Sequence, residues 1–236
     1  MDDPTGRCDT GAGARQSGGV IDAAVTPNAP TAGDGGRPPR RSLLVWDAPN
    51  MDMALTSILG RMPAGQERPR FDAVGRWLVD LADADGSEPE ACVFANVPEG
   101  GAGRMAGWVK TLRSFGYAVF VKPKREGSDV DEDMLAHIEA RAAEGGLTRL
   151  VIASGDGRAF REPLEDLADE GVDVTVLAFA EEATYALTSS SLSFHDLEDV
   201  PDAFLTALPR TRLDALPAEG RWLPPLASLR RLGASA

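Results

Sequence analysis

The sequence predicts an α/β fold, a three-layer α/β/α arrangement on a mostly parallel sheet of five or six strands. Two observations carry that prediction. Short apolar runs at residues 43–46, 91–95, 117–121, 150–153 and 172–179 read as strands buried on both faces. Between them lie segments with apolar residues at helical spacing, and strands alternating with helices imply right-handed βαβ units.

The first run, residues 43–46, leads straight into Asp47 and stops at Pro49. Pro49 biases Ala48 toward extended geometry, so a tight connection is expected. Asp47 and Asn50 then stand at the carboxyl end of a central strand, the edge at which open α/β sheets bind ligands. A short helix is expected over 54–60, closed by Gly60. Phe71, Val74, Trp77, Leu78 and Leu81 mark the next helix, and Met105, Trp108, Val109 and Leu112 another that closes near Gly116. The third strand ends on Lys122 and Pro123. Residues 129–143 are expected to be helical, with Val130, Met134, Leu135 and Ile138 as the apolar stripe. Phe160, Leu164 and Leu167 carry a further helix, in which Pro163 is tolerable only near the first turn. A short helix at 181–187 and an edge strand at 192–197 complete the domain.

Three regions are expected. Residues 1–41 form a disordered N-terminal arm: residues 1–42 hold eight Gly, five Pro, no aromatic residue and no net charge. Residues 42–200 form the globular domain. The tail, 201–236, is too apolar for a free linker, and is expected to pack on the domain, on a second copy in a homodimer, or on a protein partner. No run approaches the roughly 18 apolar residues of a membrane span, and the arm lacks the apolar core of a secretory signal. Cys8 and Cys92 make no disulfide or metal framework, so a soluble protein of the reducing cytoplasm is expected.

The formal charge is −13, concentrated in residues 43–200, which hold 29 acids against 14 bases. Such a domain repels nucleic acid, except at one segment. Residues 104–125 contain Arg104, Lys110, Arg113, Lys122, Lys124 and Arg125 without an acid. They read either as two solvated faces or as a stripe that binds backbone phosphates.

Carboxylates recur at the predicted strand ends: Asp47 after the first, Asp129, Asp131 and Asp133 after the third, and Asp156 after the fourth. Each has a structural alternative. Asp47, Asn50 or Asp156 could cap the following helix, and Asp129 with Glu132 could form a capping box. Gathered at one edge, however, these acids repel unless a cation lies between them, and hard oxygen ligands suit Mg²⁺ or Mn²⁺. Such ions support phosphodiester hydrolysis. The sequence has no phosphate-binding G-x-x-x-x-G-K loop, no dinucleotide G-x-G-x-x-G after the first strand and no serine nucleophile elbow. A phospho-accepting receiver would need a second acid where Ala48 stands and a Lys where Ala180 stands. His137 and His195 read as surface or packing residues.

Three motifs, in order along residues 42–200, resemble the NYN domain, a PIN-like nuclease family. They are the strand ending in Asp47-x-x-Asn50, the segment Ser128-Asp-Val-Asp-Glu-Asp at a helix start, and the strand running into Ser154-Gly155-Asp156. The resemblance implies sheet order 3-2-1-4-5, with the first and fourth strands adjacent. It also implies a metal-dependent endoribonuclease with Asp47, Asp129 and Asp156 as Mg²⁺ or Mn²⁺ ligands, Asp131 and Asp133 as alternates, and Asn50 orienting water or phosphate. RNA is the implied partner. The chain departs from the family at Arg158, which stands where a fourth acid is expected. Arg158 could hold the scissile phosphate bidentately, or mark a catalytically degenerate RNA-binding or protein-interaction module.

Overall fold

The computed structural model describes residues 38–125, 129–210, 216–220 and 222. Strands β1 (Arg41–Asp47), β2 (Glu88–Val97), β3 (Ala118–Pro123), β4 (Leu147–Ala153), β5 (Asp173–Ala178) and β6 (Ser193–Asp196) form one sheet, ordered β3-β2-β1-β4-β5-β6. Every pairing is parallel. The expected order is present and is extended by β6.

Six helices connect the strands: α1 (Ala48–Leu59), α2 (Phe71–Asp85), α3 (Ala102–Ser114), α4 (Asp131–Ala143), α5 (Gly157–Asp169) and α6 (Thr184–Leu187). Alternation along the strands divides the core. Leu43 and Val45 point into one cluster with Val130, Met134 and Ile138 of α4 and with Phe160 and Leu164 of α5. Leu44 and Trp46 point into the other, with Met51 and Leu55 of α1, Leu78 of α2 and Leu112 of α3. Thus α1–α3 cover one face and α4–α6 the other. Right-handed crossovers require that split when the chain builds outward from β1 to β3 and then restarts at β4. The order therefore reverses between β1 and β4.

The chain after β6 extends the second cluster with Leu197, Val200, Ala203 and Leu208. There the Arg70 N–H donates to the Ala203 carbonyl at 2.8 Å. The start of the tail thus packs on the domain, whereas Leu205 and Trp222 are exposed. Leu213 and Leu223 lie outside the described residues, as does the arm up to residue 37. Cys92 is buried among apolar side chains, which pushes its thiol up to about 12.

Three expectations need correction. Helix α1 starts at Ala48 rather than near residue 54, with Pro49 inside its first turn. A proline there removes only an N–H that has no intrahelical partner, and its fixed φ suits a helix start. Asp129 and Glu132 do not form a capping box, because α4 starts after Val130 and has no side-chain cap. Pro163 lies well inside α5, as its seventh residue counted from Gly157. It is tolerated because it faces solvent, where water can reach the carbonyl that loses its donor.

Pro163→Ala should therefore stabilise the protein, by up to about 3 kcal/mol. Urea melts of the two proteins check this, since the change restores one helix hydrogen bond and alters no buried contact.

Candidate active site

The reversal of strand order places the ends of β1 and β4 side by side, and Asp47 lies there. It ends β1 and is only 2% exposed. Its Oδ1 accepts from the Asn50 N–H at 3.1 Å, capping α1, and its Oδ2 accepts from the Ser154 hydroxyl at 3.0 Å. Asp156 caps α5 by accepting from the Arg158 N–H at 2.9 Å. The capping alternatives for these two acids are therefore real. They coexist with an electrostatic signature that capping does not produce. Burial above all, with the Asp131 and Asp156 charges adding to it, pushes the Asp47 carboxyl up to about 7 despite both hydrogen bonds.

The three acids before and within α4 have different surroundings. Burial lifts Asp131 to about 6, with Asp129 and Asp156 adding to the rise and Lys122 opposing it. Asp129 is exposed and turns its Oδ1 back to the Asp131 N–H. Asp133 is ion-paired with Lys122. Asp131 is thus the member of the trio that senses Asp156 and is sensed by Asp47.

Of the neighbours of these acids, Tyr185 and Asn96 had no signal in the sequence, whereas Asn50 did. The Tyr185 hydroxyl donates to the Ser154 carbonyl at 3.0 Å, and its ring lies where a side chain on Gly157 would be. Asn50 accepts from the Gly155 N–H at 2.8 Å through Oδ1, joining α1 to the turn after β4. Its side-chain NH₂ has no partner among the described residues. Asn96 lies near the end of β2, two residues beyond Phe94, on the face that Asp47 and Ser154 share. Its Oδ1 is buried without a partner among the described residues.

A match to the NYN domain covers residues 41–198. The chain belongs to the NYN-domain family. A structure of a protein of unknown function, VPA0982 from Vibrio parahaemolyticus RIMD 2210633, is similar with a TM-score of 0.50 and 21% identity. The alignment covers 68% of this chain and 94% of that one, and supports the fold. No curated protein matches the chain. Membership in the NYN family, a PIN-like nuclease family, agrees with acids at the β1–β4 edge.

The oxygen donors of this NYN domain suit a hard divalent cation, but they form no closed cage. Among the described residues, no three His, Cys, Asp or Glu side chains are close enough to hold one ion together. The larger cavity, about 610 Å³, runs along α2 beside Phe115 and Tyr117, and no acid of the cluster lines it.

The Arg158 side chain is 98% exposed, and its Nε lies 4.0 Å from Asp156 Oδ1, so the guanidinium stands beside that acid. The basic segment is not one stripe. Lys122, Lys124 and Arg125 gather at the carboxyl end of β3, and Arg104 is in the first turn of α3, at the same edge of the sheet. Arg113 is nine residues further along α3, roughly 13 Å down the helix and half a turn round. Lys110 lies between them. Arg104, Lys110, Arg113, Lys124 and Arg125 are all exposed. His137 packs beside Phe94 and His195 stacks on Trp77, both at a distance from the acids' hydrogen bonds.

The raised Asp47 pKa fixes a pH dependence. The folded protein holds this proton more tightly than the unfolded chain, so its contribution is complete below pH 3.8 and is lost as pH rises through about 7. In EDTA, the loss should amount to on the order of 4 kcal/mol. Asp47→Asn keeps the cap and carries no charge. It should therefore melt above wild type at pH 8, with the difference shrinking toward pH 4. Equal melting of the two proteins across that range would contradict the reading.

Proposed function

We propose that this NYN domain is a Mg²⁺- or Mn²⁺-dependent endoribonuclease. The observation that supports the reading most is the burial of Asp47 at the strand reversal, with Asp131 and Asp156 near enough to raise its pKa. Repulsion among carboxylates destabilises the fold unless a cation offsets it. Asp47, Asp131 and Asp156 would hold the ion, with Asp129 as the alternate and Asp133 committed to Lys122. When bound, such an ion would supply activation of a water and charge stabilisation at the leaving oxygen of the phosphodiester.

The chain's own residues do the rest. Ser154 fixes the Asp47 carboxylate by donating to Oδ2. Asn50 holds the turn that carries Asp156, and so acts by positioning. The Asn96 carbonyl oxygen is free to accept from a water at the same edge. Arg104, Lys124 and Arg125 hold the RNA backbone, and exposed Arg158 approaches a phosphate from the α5 side. The second reading is a catalytically degenerate RNA-binding module. It is favoured by the missing fourth acid at Arg158 and by the open spacing of the carboxylates. Either protein works where no membrane span is required: no described helix is long and apolar enough to cross a bilayer. The cytoplasm, and a homodimer or protein partner contacted through the tail, remain parts of the proposal.

Adding Mn²⁺ at a hundredfold excess over its dissociation constant should raise stability by about 2.7 kcal/mol. Asp47→Asn and Asp156→Asn should lose both this gain and RNA cleavage. If Mn²⁺ raises no melting temperature and the wild type cuts no RNA, the degenerate module is the correct reading.

Replacing Lys124 and Arg125 with Glu should weaken binding of every RNA sequence to a similar degree and flatten its salt dependence. Affinities measured at several salt concentrations check this, and an unchanged slope would remove these bases from the interface.

A further inference from the structure

A second cavity, about 240 Å³, opens against the turn after β4, lined by Asn50, Met53, Ala54, Ser57, Gly155 and Glu182. It is below the roughly 300–1,000 Å³ of sites for drug-sized ligands, which suits one planar ring system. Its wall is built closely: a Cβ on Gly155 would come within 2.9 Å of the Glu182 carbonyl oxygen. The backbone there is held by the Glu182 N–H donating to the Phe179 carbonyl at 3.0 Å. Glu182 is half-buried, and its carboxylate has no partner among the described residues, whereas neighbouring Glu181 is held by Arg210. The Ser57 hydroxyl and the Asn50 NH₂ likewise have no partner among the described residues. Met53, 69% exposed, supplies an apolar wall.

We propose that this cavity binds a guanine base of single-stranded RNA, and that Glu182 is the residue that reads it. A carboxylate offers only acceptors, and two of them side by side match the N1–H and N2–H donors of guanine. Adenine presents an acceptor where guanine has N1–H and a C–H where guanine has its amino group, and uracil and cytosine present only one such donor site. The Asn50 NH₂ and Ser57 hydroxyl donate to O6, while the thioether of Met53 covers a ring face. Unstacked bases of single strands expose this Watson–Crick edge. Asn50 and Gly155 line the cavity and also flank the acids, since Asn50 bonds Asp47 and Gly155 precedes Asp156. The base in the cavity therefore belongs to a nucleotide next to the phosphate at the acidic edge. This placement rests on the ribonuclease reading, but recognition of the base does not require cleavage.

The test compares two short single-stranded RNAs, all adenine and adenine with one guanine, in binding without divalent metal and in cleavage with Mn²⁺. The wild type should prefer the guanine RNA by at least about tenfold, the discrimination one bidentate pair supplies. Glu182→Gln should abolish that preference, Ser57→Ala should reduce it, and Asp47→Asn should retain it. Equal binding of the two RNAs by the wild type, or a preference that Glu182→Gln retains, overturns the proposal. GMP competing as well as the guanine RNA overturns the assignment to RNA in favour of a free nucleotide. A guanine preference in binding with no cleavage supports this inference and defeats the nuclease reading. Cleavage with no guanine preference does the reverse.

Discussion

One carboxylate buried at the reversal of strand order constrains everything around it. A carboxylate with no route to water is costly unless it is hydrogen-bonded, paired or protonated. Asp47 uses the first of these. Its two hydrogen bonds reach α1 and the end of β4, so a single side chain fastens the start of one helical layer to the neighbouring strand. The remaining cost appears as a raised proton affinity, which the charges of Asp131 and Asp156 increase. Nothing in the hydrophobic core requires an acid at this position. An apolar residue would continue the run of residues 43–46, but it would lose the cap on α1 and the contact to Ser154.

The turn after β4 is held from three sides, which limits what it can do. Asn50 grips its backbone from α1, Tyr185 grips it from α6, and Ser154 is committed to Asp47. Gly155 and Gly157 are required by close approach, since a side chain at either would meet Glu182 or the Tyr185 ring. A turn fixed in this way presents the Asp156 carboxylate in one orientation. It also couples the acidic edge to the cavity beside it, because the same backbone forms the floor of both.

Much of the fold was legible because buried parallel strands carry their signal locally. Residues 43–46 and 150–153 are apolar whichever face they present, so their placement needed no tertiary information. The start of α1 was misread because Pro49 is a stop signal in one context and a favoured first-turn residue in another, and only the Asp47 cap decides between them. Asp47 and Asp156 were legible through motif spacing. The choice among Asp129, Asp131 and Asp133 was not, because it depends on how the chain enters α4 and on the claim Lys122 makes on Asp133. Tyr185 reaches the Ser154 carbonyl from 31 residues away, and no local pattern announces such a contact.

Strand β3 lies at the open margin of the sheet, with Phe120 and Val121 exposed. A bare apolar margin invites pairing with the same strand of another molecule, the route to edge-to-edge aggregation. Lys122, Pro123 and Lys124 follow immediately, and charge and proline at the end of such a strand are gatekeepers against that pairing. The bases at this edge therefore discourage strand pairing, apart from any part they have in attracting an anion. Either sign of charge serves the first purpose, and only a positive one serves the second. A neutral substitution there would confuse the two, since it would remove the protection along with the attraction and release a sticky margin that the charged chain keeps closed.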